Sequence, residues 1–199
     1  MTDSSTPNQS NYEQYAQYMP DYAYVNPYYN RVGFGKRFLA YFIDNFIIAL
    51  LVMLYMILSG TLTEIMSMAT SNTVEILDLF EHAAKIELPG TIIGLIYFST
   101  ELFFAFSFGK LTLGIRIGSE NAENAQFSSL AIRYIVKNIS NVVSIAAAIT
   151  GFFLFGILGS LLGFIVIIGC FFVLGQKRQA FQDMLAKTAV YLQEDIKQN

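Results

Sequence analysis

Asp44 is the only charged residue between Phe38 and Ser59, and Glu101 is the only one between Leu88 and Phe108. An ionised side chain at the centre of a membrane helix costs about 2.5–3.5 kcal/mol on insertion scales. Such groups therefore face a bundle interior, pair with a partner, or carry an ion or proton. Asn45 adds an amide beside Asp44, and Asn138, Asn141 and Ser144 recur every three residues along one helical stripe. These polar groups are expected to converge inside a bundle. Arg37 lies two turns before Asp44, about 10 Å along the axis. Helical side chains lean toward the N-terminus, so Arg37 leans away from Asp44 and toward the membrane surface. Asp44 is then expected to meet a cation or amide from another helix, with Arg133, Lys137 and Asn138 as candidates.

The chain that must position these groups has 199 residues, of which 54% are hydrophobic and 14% charged. A typical soluble domain is about 25% charged, so an integral membrane protein is the first reading. The net charge of −3 argues against nucleic acid as a partner. A single cysteine, Cys170, and a single histidine, His82, leave no metal site to expect. Neither an HExxH sequence, a Ser/His pair nor a phosphate loop is present, so neither an enzyme nor a cofactor is expected. The N-terminus lacks the basic start and early apolar run of a secretory signal peptide.

Residues 1–30 hold seven tyrosines among Asn, Gln, Ser and Pro, with no aliphatic run. This composition reads as a disordered cytoplasmic tail, able to recruit a cytoplasmic protein partner or simply to stay solvated. Residues 31–193 form the membrane domain, with spans near 38–59, 88–108, 132–150 and 152–174, and 194–199 are a C-terminal end. The run from Asn138 to Gly175 contains no charge and must be divided into one helix or two. Two helices, turning near Thr150-Gly151, place eleven of the twelve Lys and Arg residues on one side and only Lys85 on the other. The positive-inside rule then selects four spans with both termini cytoplasmic. Pro89-Gly90 marks a start for the second span.

Between the first two spans, TVEILDLFEHAAKIEL puts Ile76, Leu77, Phe80, Ala83 and Ala84 on one face, as in an amphipathic surface helix. Its acidic face, with His82, is most simply a solvated one. On the cytoplasmic side, Leu111, Leu113, Ile115 and Ile117 alternate with Thr112, Gly114 and Arg116 as in a strand. A second strand is expected over 188–193, with a short interfacial helix before it carrying Phe181, Leu185 and Thr188 on one face. Gly156, Gly159, Ser160 and Gly163 give the last span small residues for close packing, within the chain or between copies. The expected fold is an all-α membrane protein, a four-helix transmembrane bundle with a small cytoplasmic strand pair and an interfacial C-terminal helix.

RFLAYFID, LFFAFSFGKLTLGIRI, LAIRYIVKN and KRQAFQDMLAKTAV occur in an order that resembles the RDD family of prokaryotic membrane proteins. The resemblance covers roughly residues 32–193. It matches the family's arginine and two aspartates to Arg37, Asp44 and Asp183, and its helix-two acid to Glu101. Gly109, Lys110, Gly114 and Arg116 match its glycine-lysine and strand-like segment, Arg133 its pre-helix arginine, and Ala186 and Thr188 its D-x-L-A-x-T ending. Two positions depart from it: Gln182 stands where many relatives have His, and Ser107 where threonine is usual. The resemblance implies a bacterial cell-membrane protein, some of whose relatives have been proposed as cation–proton exchangers.

Two functions follow. In one, the chain is a small transporter or exchanger, oligomeric because four spans make a narrow bundle. Asp44 then binds a cation or proton, Glu101 shares it, and Arg37 with Asp183 forms a cytoplasmic latch. In the other, the chain is a structural or accessory protein whose polar groups only hold helices together.

Overall fold

The computed structural model describes residues 28–70 and 76–197, the side chains of 76–84 excepted. Residues 1–27 of the tail expected to recruit a partner, the face built on Ile76, Leu77, Phe80, Ala83 and Ala84, and His82 lie outside the described residues or side chains. In chain order the elements are helices α1 (Phe34–Ser59), α2 (Thr61–Thr70), α3 (Ile76–Phe104) and α4 (Phe108–Thr112), then strand β1 (Ile115–Ser119). Helices α5 (Phe127–Thr150) and α6 (Phe153–Cys170) follow, the latter extended by a 3-10 turn over Phe171–Leu174. A short helix α7 (Phe181–Leu185) and strand β2 (Thr188–Leu192) complete the fold.

Four helices are long and apolar enough to cross a membrane: Phe34–Ser59, Lys85–Phe104, Phe127–Thr150 and Phe153–Leu174. The 26 residues of α1 span roughly 39 Å at 1.5 Å per residue, more than a hydrocarbon core of about 30 Å. Their side chains are mostly exposed, Leu58, Ile149 and Phe153 being among the most exposed in the chain. An apolar helix with a bare apolar surface is what lipid, rather than water, requires. The uncharged run divides at Gly151, whose φ of 64° ends α5 with its N–H on the Ala147 carbonyl at 2.9 Å.

Three local expectations are corrected. Pro89 does not open the second span but lies inside α3, which begins at Ile76. The expected surface helix and the second span are thus one continuous rod, since proline removes only one N–H and its neighbours continue the helix. Leu111 and Leu113 do not belong to the strand: Phe108–Thr112 is helical, Gly114 turns the chain with a φ of 62°, and β1 begins at Ile115. Thr188 lies in β2 rather than on the face of α7.

The strands form a two-stranded antiparallel ribbon in which Ile115 faces Leu192 and Ser119 faces Thr188. Arg31 adds a bridge to Tyr191 just before α1. The buried core sits here, at one end of the bundle, where Val32, Ala40, Ala105, Ile115, Ile117, Leu130 and Val190 pack together. At the other end, Lys85 and Glu64 make an exposed pair at 3.3 Å.

Small residues act along α5 and α6. A methyl at Gly159 would lie 3.0 Å from Ser144 Oγ, and one at Gly163 would lie 3.5 Å from Ser140 Cβ. These two glycines therefore serve packing within the chain. Gly156 has nothing within 4 Å of its would-be side chain, and Ser160 is exposed, its hydroxyl bonded to the Gly156 carbonyl at 3.0 Å. That pair faces outward.

Candidate functional site

The polar groups gather at the ribbon end in two adjacent seats, one for each intramembrane acid. Asp44 projects from α1 and is 2% exposed. Its Oδ1 accepts from the Tyr97 hydroxyl at 2.7 Å and from the Gly109 backbone N–H at 2.7 Å. Its Oδ2 accepts from the Ser107 hydroxyl at 2.6 Å. All three donors are neutral. Gly109 is required by proximity, because a Cβ there would fall 2.2 Å from the Ala40 carbonyl oxygen and 2.8 Å from Asp44 Oδ1.

Glu101 sits on α3 one turn beyond Tyr97 and is surrounded by cations. Its Oε1 accepts from Lys110 Nζ at 2.6 Å and from Lys137 Nζ at 2.8 Å, and its Oε2 from Arg133 Nη1. Lys137 also lies over the Phe98 ring, 3.5 Å from its centre. Arg133 then continues the array, its Nε reaching Asp183 Oδ1 at 2.7 Å. Asp183 Oδ2 accepts from Arg37 Nη1 at 2.5 Å and from the Ala180 N–H at 3.2 Å. Arg37 completes its fork on the Arg178 and Val32 carbonyls, at 2.8 and 2.9 Å. Two carboxylates, Glu101 and Asp183, thus serve four cations, and the chain of ion pairs ties α1, α3, α4, α5 and α7 together.

Burial shapes the titration of the two groups outside the spans. Burial raises the Asp183 carboxyl, but Arg133 and Arg37 outweigh it and hold the group at about 2. Burial lowers the Lys110 ammonium; Glu101 raises it, Arg133 and Lys137 lower it further, and it settles at about 7. A buried lysine poised near neutrality is suited to taking up and releasing a proton.

The sequence-derived residues distribute unevenly over this site. Arg37 and Asp183 meet as the latch geometry requires. Asp44 does not meet Glu101, Arg133, Lys137 or Asn138. The loop after α3 folds back over Asp44 and fills both carboxylate oxygens first. Asn45 does not enter the bundle: the next position around α1 points outward, where its amide donates to the Tyr41 carbonyl at 2.7 Å. Asn138 is buried, but its amide donates to the Tyr134 carbonyl at 2.9 Å, and Asn141 donates to Asn138 at 3.4 Å. Both stay within α5. Ala186, at the end of α7, and Thr188, the first residue of β2, are buried, and the Thr188 hydroxyl donates to the Asp183 backbone carbonyl at 3.5 Å.

Other participants lay outside the sequence reading. Tyr97 carries no charge to mark it in the sequence, although its place one turn before Glu101 puts both on one face of α3. Lys110 was placed only by family motif, yet it stands nine residues after Glu101 and just beyond the span. Arg31 donates to the Lys177 and Glu120 carbonyls at 3.0 and 3.1 Å, fastening the start of α1 to the ribbon. Among the described residues no group of three His, Cys, Asp or Glu side chains could hold a metal ion.

Four apolar helices enclosing such an ionic cluster define a multi-pass membrane protein. Residues 31–187 match the RDD family, and the chain belongs to it. No curated protein and no solved structure matches the chain. The match spans every residue of the two seats, from Arg37 to Asp183.

Proposed function

We propose that this protein is a small cation–proton exchanger of the cell membrane, acting through the stretch Ser107–Lys110. One observation carries the reading: that stretch is tied at one end to Asp44, through Ser107 and Gly109, and at the other to Glu101, through Lys110. Two acids from two spans therefore hold one short segment, and its lysine titrates at about 7.

The exchange follows from charge balance. Protonated Lys110 occupies Glu101 Oε1 and supplies its positive charge. When Lys110 releases its proton, Glu101 loses one of three cations and gains room for a monovalent cation on that oxygen. Rebinding of a proton to Lys110 expels the cation. Asp44 positions the segment throughout, a change from the direct ion-binding role expected from its depth alone. Both termini and eleven of the twelve Lys and Arg residues lie on the cytoplasmic side in this reading. An oligomer, meeting along the outward Gly156–Ser160 ridge of α6, supplies the width that one bundle lacks.

A second reading has support of its own. Every oxygen of Glu101 and Asp183 is filled, and the array joins five helices, which is how a polar cluster fixes helix register in a purely structural or accessory membrane protein.

Cation-driven proton flux in proteoliposomes tests the first reading. Wild-type flux should rise as pH passes upward through about 7, and Glu101→Gln should abolish it. Lys110→Met should leave any residual flux independent of pH. Absence of flux in the wild type, or equal flux in all three proteins, leaves the structural reading.

A further inference from the structure

Arg116 has no part in either seat, and its guanidinium is not fully satisfied among the described residues. It lies on β1 opposite Tyr191, with its Nε buried and without a hydrogen-bond partner among the described residues. A buried guanidinium N–H left unpaired costs free energy unless a ligand satisfies it. No carboxylate among the described residues forms an ion pair with it, although Glu123 and Glu120 lie on the nearby turn.

Arg116 lines a cavity of about 400 Å³ together with Asn124, Phe103, Phe104, Ala125 and Leu130. The location of this cavity narrows what it can hold. Phe104 is the last residue of one membrane span and Leu130 lies in the first turn of the next, so the cavity opens where a bilayer's hydrocarbon gives way to its headgroups. Phe103 and Phe104 are exposed apolar walls at its rim, 66% and 56% accessible. The Arg116 guanidinium and the Asn124 side-chain amide are the polar side chains that line this cavity, and both carry N–H donors.

We propose that this cavity binds the phosphate of an anionic lipid, with Arg116 as the principal donor and Phe103 and Phe104 against the glycerol and upper acyl chains. An arginine fork matches two phosphate oxygens at once. Basic pockets between spans at this depth take anionic headgroups. A free phosphate shares the anion chemistry but has no use for the phenylalanine rim. The site is separate from the Glu101 array and does not depend on the exchange reading.

The test uses the purified full-length protein in detergent, titrated with dioctanoyl phosphatidylglycerol, dioctanoyl phosphatidylcholine or sodium phosphate at fixed ionic strength. Thermal unfolding and lipid retention in native mass spectrometry are the readouts. Phosphatidylglycerol should raise the melting temperature and stay bound. Arg116→Gln should weaken its apparent affinity roughly ten- to a hundredfold, the loss of a charge-assisted hydrogen-bond pair. Lys177→Gln, which removes an exposed cation elsewhere at this end, should not change it. Asn124→Asp, at an exposed position, puts a negative charge at the mouth and should also weaken binding, which keeps the test alive if Arg116→Gln fails to fold. Phosphatidylglycerol affinity unchanged in Arg116→Gln or Asn124→Asp overturns the site. Equal binding of phosphatidylcholine, or an equal Arg116-dependent shift with sodium phosphate alone, overturns the anionic lipid as its occupant.

Discussion

Asp44 and Glu101 are both buried acids on neighbouring spans, and the same short loop touches both, yet they are held in opposite ways. Asp44 is held by shape. Its three partners are neutral, and the Gly109 N–H reaches it only because Gly109 has no side chain and can press against Ala40. Glu101 is held by charge, with three cations on its two oxygens and a second carboxylate, Asp183, sharing one of them. A carboxylate in a neutral seat depends on the distance and direction of a few donors. In a crowded ionic seat, it depends on the sum of charges around it.

The difference is sharpest when each acid is replaced by its amide. Glu101→Gln leaves three buried cations short of a counter-charge, and should destabilise the folded protein by about 3–5 kcal/mol. Denaturant unfolding in detergent measures this, and a loss below that of the Asp44 amide would erase the contrast. Gly109→Ala tests shape alone, because it changes no charge. With its methyl 2.2 Å from a backbone oxygen, it should cost about 1–3 kcal/mol in the same measurement. Asp44→Asn keeps the size but replaces one acceptor oxygen by an NH2 donor in a seat where all three partners donate. About 1–2 kcal/mol is expected, smaller than for Glu101→Gln, since no ion is stranded.

The last contrast is a slope with pH, smallest when read over a single pH unit. The folded pKa of Lys110, about 7, lies below the ordinary lysine value of 10.5. Between these values the unfolded chain binds the proton more than the folded chain does, so stability rises with pH across that window, by at most about 1.4 kcal/mol per pH unit. Lys110→Met should flatten the slope, and Asp44→Asn should leave it intact. Asp183 gives the opposite limb at low pH. Its carboxyl is depressed from 3.8 to about 2, so the stability it contributes is present above 3.8 and is lost as pH falls through about 2. If Asp44→Asn rather than Lys110→Met removed the neutral slope, the two seats would have to exchange roles.

Much of this arrangement is legible in the residues themselves. Four spans follow from hydropathy and the count of cations, because a bilayer allows few alternatives for uncharged runs of this length. The alternation of Ile115, Arg116 and Ile117 marks the core of the ribbon's first strand though not its start, and the acids stand out because nothing else in residues 38–59 or 88–108 is charged. The partners of those acids are less legible. Asp44 was expected to find Arg133 or Lys137, which are close in depth. The chain instead reverses at Ala105, whose φ is 61°, and sends Ser107 and Gly109 into the seat. A reversal of this kind leaves no periodicity to read. Asn45 shows the same limit from the other direction, since depth along a helix is written in residue number but the inward face is set by which neighbour packs there.

Asp183 lies beyond all four spans, which has a consequence for synthesis. Arg37, Glu101 and Arg133 enter the membrane while the residue that balances two of them is still unmade. The ribbon has the same order, since β1 emerges early and waits for β2. Until the last segment arrives, the nascent protein carries an uncompensated cluster of positive charge at one membrane face. Both the charge array and the ribbon therefore close only once residues 183–192 are present.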